Sequence, residues 1–270
     1  LGAIDFNVLT WAKGQGIKII LDLDDDIFNI PDTHPEPHRS VLKSTSFKNF
    51  IKALLTLIDT MTVTTDYLKE FYSKYFSGRI EVIPNCIDET LWKQIIKPTD
   101  RRPVPTIGWA GGSSHYQDLQ PLAPIWKWII DKGWNLRFIG YFPPSVNGLT
   151  GVDFIEWNND IRTYYQTLAF ARLDTCVAPL MENTYSLGKS NIKLIEYSAF
   201  CGAPIICSDW GPYHDEIDIP YIERVDPIPD IAKNELEEAV SLLNVSDRKY
   251  KIPTGYTLSE VGPEWERAFK

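Results

Sequence analysis

A segment at residues 188–209, GKSNIKLIEYSAFCGAPIICSD, combines residue types that can bind phosphate groups and ribose. A helix is predicted to begin at Lys189 after a loop, and a helix start offers unpaired backbone N–H groups and a partial positive charge. Lys189 and Ser190 would add charge-assisted hydrogen bonds to a diphosphate, and Lys193, one turn further, would face the same anion. Glu196 follows about two turns from the helix start, where its carboxylate can accept both hydroxyl groups of a ribose.

Taken alone, the same segment also fits an amphipathic helix that binds nothing. In that interpretation its lysines lie in water and its apolar residues lie in the core. The apolar residues are Ile192, Leu194, Ile195 and Tyr197. Other motifs are therefore needed to separate the two interpretations.

A small-residue turn at residues 107–119, IGWAGGSSHYQDL, is the second candidate. Gly111 and Gly112 would let the backbone approach a ligand closely, and Ser113 could contact a phosphate or cap a helix. The alternative is a helix capped by Ser114, with His115 merely exposed. The spacing is not G-x-G-x-x-G, so the dinucleotide-binding fingerprint is not met.

An acidic segment at residues 21–28, LDLDDDIF, follows a predicted buried strand. Its aspartates could hold Mg²⁺, serve as the nucleophile strand of a haloacid-dehalogenase-like phosphatase, or orient a loop. The phosphatase also needs a downstream acidic pair, which we do not find. We favour the loop-orienting role, with metal binding second. The aspartates are Asp22, Asp24, Asp25 and Asp26.

Strands and helices are predicted to alternate along the chain, which indicates α/β architecture with parallel sheets. The polar connector at residues 93–104 is the predicted domain boundary. After it, the pattern predicts a doubly wound domain of five or six strands, and such domains bind ligands at the carboxyl ends of the strands, where the strand order reverses. The predicted strands are residues 17–22, 61–65, 80–85, 105–112, 136–141, 152–157, 174–180, 203–209 and 221–225, and the predicted helices are residues 44–58, 66–76, 120–133, 160–171, 189–200, 235–243 and 260–269.

Composition limits the classes of function. The net charge of −9 argues against nucleic acid as the main partner. No apolar run approaches the ~20 residues of a membrane span. The chain begins with Leu1 and has no basic-then-apolar leader, so we expect it to lack its beginning. Cys86, Cys176, Cys201 and Cys207 form no C-x-x-C pair, so we expect free thiols in a reducing cytoplasm.

The order of the motifs resembles that of bacterial and phage glycosyltransferases with the GT-B fold, of the family 4 type. The resemblance covers residues 17–210, and its last motif is the most specific. The motifs are DLDDDIF, MTVTTDYLKEFY, VIPNCID, IGWAGGSSHYQDL, LRFIGY, VAPL and KSNIKLIEYSAFCGAPII.

The resemblance implies an α/β GT-B fold with two Rossmann-like domains, the N-terminal one short or truncated. Residues 1–95 would form the acceptor-side domain and residues 96–256 the nucleotide-sugar-binding domain. Residues 257–270 would form a helix that crosses back to the first domain.

The resemblance also implies an activity in carbohydrate biosynthesis. A sugar would pass from a nucleotide diphosphate sugar, such as a UDP- or GDP-sugar, to a glycan, lipid-linked or other acceptor, with retention of configuration. No metal or cofactor would be needed, because helix termini and basic residues neutralise the leaving group. The residues matched to nucleotide-sugar binding are Gly111, Gly112, Ser113, His115, Lys189, Ser190, Lys193 and Glu196.

The chain departs from the family pattern at one carboxylate. Many members carry a glutamate eight positions before the one matched by Glu196, and here Gly188 stands there. Glu182 or Asn183 would then hold the sugar. The candidate catalytic residues are Glu182, Asp24 and Asp25. Two alternatives stay open: a Mg²⁺-dependent phosphatase that uses Asp22 and Asp24, and a non-catalytic binding module with the same fold.

Overall fold

A computed structural model describes residues 5–100, 102–225, 233–245 and 248–270 of the chain. Arg101, in the predicted connector, lies outside the described residues. The helices in chain order are α1 (Phe6–Gly14), α2 (His38–Lys43), α3 (Thr45–Leu55), α4 (Asp66–Tyr72), α5 (Glu89–Gln94), α6 (Tyr116–Leu119), α7 (Ala123–Asp131), α8 (Ile161–Ala171), α9 (Thr184–Leu187), α10 (Ile192–Glu196), α11 (Lys233–Val245) and α12 (Leu258–Phe269). The strands are β1 (Ile20–Leu23), β2 (Thr60–Val63), β3 (Arg79–Val82), β4 (Thr106–Ala110), β5 (Asn135–Ile139), β6 (Val152–Ile155), β7 (Thr175–Ala178), β8 (Ile205–Ser208) and β9 (Ile222–Val225).

The described residues fall into two compact units. The first contains the chain up to Asn85, together with residues 183–190 and 260–270, and the second contains residues 86–182 and 191–259. The sequence predicted a change of domain at 95/96, and the change of unit comes earlier, after Asn85. It also placed residues 183–190 in the second domain, whereas they group with the first unit.

The first unit is built on the parallel sheet β1-β2-β3. Helices α3 and α4 begin where a polar side chain, Ser44 for α3 and Thr65 for α4, accepts a hydrogen bond from the first turn. Ile51, Met61 and Leu68 are buried in its core. The described part of this unit thus has the three strands that the sequence predicted.

The second unit contains a parallel sheet in the order β6-β5-β4-β7-β8-β9, which is the Rossmann strand order. Successive residues of a strand point to opposite faces, and both faces are covered. Trp109, on one face, packs in the core that contains Trp126, and Ala110, on the other, packs in the core that contains Leu194. The predicted doubly wound domain of five or six strands is therefore confirmed, with six.

Helices α1, α2 and α5 were missed by the sequence analysis. The structure shows no buried residue in any of them, so they carry a weak apolar pattern. Helix α5 has a clear local signal all the same, because Asp88 accepts hydrogen bonds from the backbone of Thr90 at 2.7 Å and of Leu91 at 3.2 Å.

Strands β4 and β7 flank the point where the strand order reverses. Their described register consists of Ile107 with Thr175 and Gly108 with Cys176. Beyond it, the buried Ala110 N–H donates to the Tyr197 hydroxyl oxygen at 2.7 Å. A tyrosine side chain therefore satisfies a backbone group where the two strands part.

Among the described residues, no helix is both long and apolar enough to cross a membrane.

Replacing Tyr197 with Phe should destabilise the second unit, because the buried Ala110 N–H would lose its acceptor. A buried donor without a partner costs about 1–3 kcal/mol. Urea denaturation should give a clearly lower midpoint for Tyr197→Phe than for the wild type. Tyr75→Phe, at an exposed tyrosine of the first unit, should change the free energy of unfolding by less than about 0.5 kcal/mol. Equal midpoints for Tyr197→Phe and the wild type would contradict this account.

Candidate functional site

The carboxyl end of β4 runs into the predicted glycine turn. A Cβ atom on Gly111 would lie 2.7 Å from the Trp109 ring and 2.8 Å from the Lys193 ammonium nitrogen, so a larger residue does not fit without a shift. A Cβ atom on Gly112 would meet no described atom within 4 Å. The turn is therefore tightly packed at Gly111 and accessible at Gly112.

Gly140, which directly follows β5, packs against the backbone of this turn. Its φ is +91°, which favours glycine, and a Cβ atom there would lie 2.6 Å from the Gly111 carbonyl oxygen. The same atom would lie 2.6 Å from the Trp157 ring. Glycine is thus needed at both positions for the two strand ends to approach.

Lys193 brings a buried positive charge to the end of β4. Its ammonium group donates to the Ala110 carbonyl oxygen and lies 4.8 Å from the centre of the Trp109 ring. A cation over an indole face is stabilised by the ring electrons. The charge is thus held beside the Gly111 turn.

Glu196, at the end of α10, is half-buried and accepts a hydrogen bond from the Tyr164 hydroxyl at 2.9 Å. Desolvation raises the pKa of Glu196 to about 7, against the opposing effects of the Lys193 charge and the Tyr164 hydrogen bond. The carboxyl group is thus fixed in orientation and titrates near neutrality.

His115 lies in the helical turn that follows the glycines. Its Nδ1 is 2.7 Å from Oδ2 of Asp118, and Oδ1 of Asp118 accepts from the Met181 N–H at 2.9 Å. Ser113, two residues earlier, is exposed. The structure therefore brings His115 into a defined pair and leaves Ser113 on the surface of the turn.

The helix predicted to begin at Lys189 begins three residues later, at Ile192. Residues 183–189 instead form the separate helix α9 and its last turn. Asn183 caps this helix by accepting from the Ser186 N–H at 2.9 Å, and the Lys189 N–H donates to the Ser186 carbonyl at 3.1 Å. The prediction that Lys189 and Ser190 open the long helix is therefore wrong.

Lys189 belongs to the first unit, where it is paired. Its ammonium group lies 2.7 Å from Oδ1 of Asp25 and 3.0 Å from the Tyr185 hydroxyl. Burial alone would lower the pKa of Lys189, but Asp25 and Tyr185 hold it above its usual value. Ser190 accepts a hydrogen bond from the Asn85 amide at 2.8 Å. Lys189 and Lys193 thus have different partners and lie in different units, so the expectation that they face one anion has no support here.

The acidic segment behaves largely as a loop-orienting device. Both oxygens of the buried Asp26 accept hydrogen bonds, from the Phe28 and Asn29 N–H groups at 3.1 Å and from the Asn29 amide at 2.7 Å. Asp22 accepts from the Thr62 hydroxyl at 2.6 Å, and Asp24 is exposed. Within the described ranges, no three His, Cys, Asp or Glu side chains are grouped closely enough to hold a metal ion.

Glu182 is exposed in the loop after β7. It is the last residue of the second unit before the chain enters residues 183–190, which belong to the first unit. Asn183, the other candidate for holding a sugar, uses its side-chain oxygen to cap α9. Of these two, Glu182 is the one whose side chain lies on the surface.

Three residues of the site were missed by the sequence analysis. Tyr164 fixes Glu196, Tyr197 fills the split between β4 and β7, and Asp118 pairs with His115. The i,i+3 spacing of His115 and Asp118 on a predicted turn was a usable signal. Tyr164 had none, because its partner lies 32 residues away in the sequence.

Solved structures similar to this chain include glycosyltransferases. TarM from S. aureus has a TM-score of 0.63 and 13% sequence identity, over 94% of this chain and 50% of the TarM chain. The lipopolysaccharide outer core galactosyltransferase WaaB has a TM-score of 0.54 and 15% identity, over 97% and 78%. Anabaena HepE, in complex with UDP and glucose, has a TM-score of 0.54 and 12% identity, over 97% and 69%.

These similarities establish the fold. The predicted GT-B fold, with two Rossmann-like units, is confirmed, and this chain spans about half the length of TarM. No protein-family model and no curated protein sequence matches the chain.

Replacing Glu196 with Gln should change the pH dependence of stability. The pKa of Glu196 in the folded protein is about 7, above the ordinary value of 4.5, so its ionised form opposes folding. This cost develops as the pH rises from about 4.5 to 7 and is fully present above 7. The stability of Glu196→Gln relative to wild type should therefore increase by on the order of 1–3 kcal/mol between pH 5 and pH 8.

Denaturant titrations at several pH values measure this difference. Glu156→Gln, at an exposed position, is the matched control and should give a nearly constant difference. A constant difference for Glu196→Gln as well would show that the fold does not hold back the ionisation of Glu196.

Proposed function

We propose that this chain is part of a glycosyltransferase that transfers a sugar from a nucleotide diphosphate sugar to an acceptor. One observation carries the proposal: the second unit holds the Lys193 ammonium group and an open glycine turn at the point where its strand order reverses, and Glu196 follows Lys193 by three residues in α10. Rossmann-type sheets bind nucleotides at this point.

The diphosphate would bind at the turn after β4. Gly112 has free space on its Cβ side for a ligand. Lys193 supplies a positive charge at the Ala110 carbonyl, at the start of the same turn. An ammonium group has three N–H donors, so its bond to Ala110 is compatible with donation to a phosphate. Gly111, Ser113 and backbone N–H groups of the turn would complete this side.

The ribose would bind at Glu196. A carboxylate accepts two hydroxyl groups at once, and the Tyr164 hydroxyl keeps this one from rotating. Binding of the ribose hydroxyls would favour the ionised form of Glu196.

The finer features of the proposal rest on the resemblance to family 4. Transfer would retain the configuration of the sugar, and no metal or cofactor would take part, because Lys193 and the N–H groups of the turn would neutralise the diphosphate leaving group. Glu182, exposed after β7, would contact the sugar. The acceptor would be a glycan or a lipid-linked molecule.

Roles for the first-unit residues belong to the same proposal. Asp24, an exposed carboxylate, is the better catalytic candidate there, because Asp25 is engaged by Lys189. That pairing supports a scaffolding role for Lys189, and its phosphate-binding role has the weaker support. Asp22 is held by Thr62, which favours a structural role over that of a phosphatase nucleophile.

Lys193→Ala and Glu196→Ala should each weaken the binding of a UDP- or GDP-sugar at least tenfold, or about 1.4 kcal/mol. Each variant removes a charged contact to the ligand. A thermal-shift panel of nucleotide sugars identifies the donor, since a ligand of the native state raises the melting temperature. Isothermal titration calorimetry then gives the affinities.

The matched controls are Lys127→Ala and Glu156→Ala, at exposed positions of the same unit, which should leave affinity unchanged. Unchanged affinity for both site variants would refute the proposed binding site. Mg²⁺-dependent phosphate release that disappears in Asp22→Asn or Asp24→Asn would instead establish the phosphatase. Donor binding with no turnover in a full-length protein offered many acceptors would establish a binding module.

A further inference from the structure

Asp118 connects two segments that flank the strand reversal of the second unit. One carboxylate oxygen meets His115 in the turn after β4, and the other meets the backbone of Met181 in the loop after β7. Asp118 is buried, with 8% of its surface exposed. A buried carboxylate requires partners for its oxygens, and here they come from both sides of the split.

The contact with Asp118 fixes the orientation of His115. A carboxylate only accepts hydrogen bonds, so Nδ1 of the ring is the donor. The His115 side chain is 16% exposed, and its ring lies 6.0 Å from the Trp109 ring in an edge-on arrangement. With Nδ1 engaged by Asp118, a further hydrogen bond from the imidazole ring can be donated only through Nε2.

Trp109 also links this pair to the charge at the end of β4. Its ring packs against the His115 ring, and the Lys193 ammonium nitrogen lies 4.8 Å from the centre of the same indole ring. The ring is fully buried, so neither neighbour can move far without disturbing the core. His115 and Lys193 are therefore held at a fixed separation beside the Gly111 turn.

We propose that Asp118 is a positioning residue, which holds His115 so that its Nε2–H donates to a phosphate of the donor and which anchors the loop after β7 through Met181. The phosphate contact rests on the proposed function, whereas the two anchoring contacts do not. Asp118 itself touches no substrate. Through Met181 it also sets the position of the neighbouring Glu182.

The anchoring is tested on the ligand-free protein. Nitrogen-15 NMR of the histidine rings should show His115 with the proton on Nδ1, and Asp118→Ala should change that pattern, because alanine removes the acceptor of this proton. His214, which pairs with Asp209 at 2.6 Å, is the reference: Asp209→Ala should change only the His214 signals. The amide hydrogen of Met181 should exchange faster in Asp118→Ala than in the wild type, because it also loses its acceptor.

The phosphate contact is tested by titration with UDP and with GDP. His115→Ala and Asp118→Ala should each weaken the binding of UDP or GDP, whichever nucleotide binds, by at least fivefold. The double variant should bind no more weakly than His115→Ala, because Asp118 acts through His115. His115→Ala leaves the Asp118–Met181 bond in place, so it tests the contact even if Asp118 variants fold poorly. Asp209→Ala should bind as the wild type does.

Each contrary result overturns a different part of the proposal. Binding of neither nucleotide by the wild type overturns the proposed function and the phosphate contact together. Binding that His115→Ala leaves unchanged overturns the phosphate contact alone. A further loss in the double variant shows that Asp118 acts independently of His115, and unchanged His115 signals in Asp118→Ala refute the positioning role.

Discussion

The N–H and C=O groups of Ala110 lie at a buried strand end, just past the described register of β4 with β7. Buried backbone groups need partners. Both partners come from one helical segment: Tyr197 accepts from the N–H group, and Lys193 donates to the carbonyl oxygen. Residues at this spacing share one face of a helix. The requirement to satisfy one strand end thus brings a lysine to the place where a Rossmann-type sheet binds its ligand.

Residues 183–190 show how a charged side chain can serve the scaffold instead. In sequence they lie between two elements of the second unit, yet they group with the first. Lys189 is enclosed by Asp25 and Tyr185, and Asp26 shapes the loop that presents Asp25. Breaking one side of such a half-buried pair leaves a charge without compensation. Lys189 and Lys193 are only four residues apart in sequence, yet they have separate partners.

Much of the fold was predictable because buried parallel strands leave a strong apolar signature. Every described strand overlaps a predicted one, whereas the order of the strands, and with it the position of the reversal between β4 and β7, is seen only in the structure. Helix starts were less predictable. Asn183 caps the short helix α9, which occupies the segment just before Lys189, and the next helix therefore begins at Ile192 and not at Lys189. The partners of Glu196 and Ala110 could not be predicted, since these contacts join distant segments whose approach is set by packing.

The contact between Gly140 and the Gly111 carbonyl limits how this site can diverge. A methyl group at position 140 would collide with the backbone of the turn, and one at position 111 would collide with Trp109 and Lys193. The first collision is with backbone and requires a strand end to move, whereas the second requires the Trp109 and Lys193 side chains to shift. Substitutions at Gly111 or Gly140 therefore disturb the packing at the ends of β4 and β5, whereas the exposed Ser113 and Glu182 can change with far less effect on this packing.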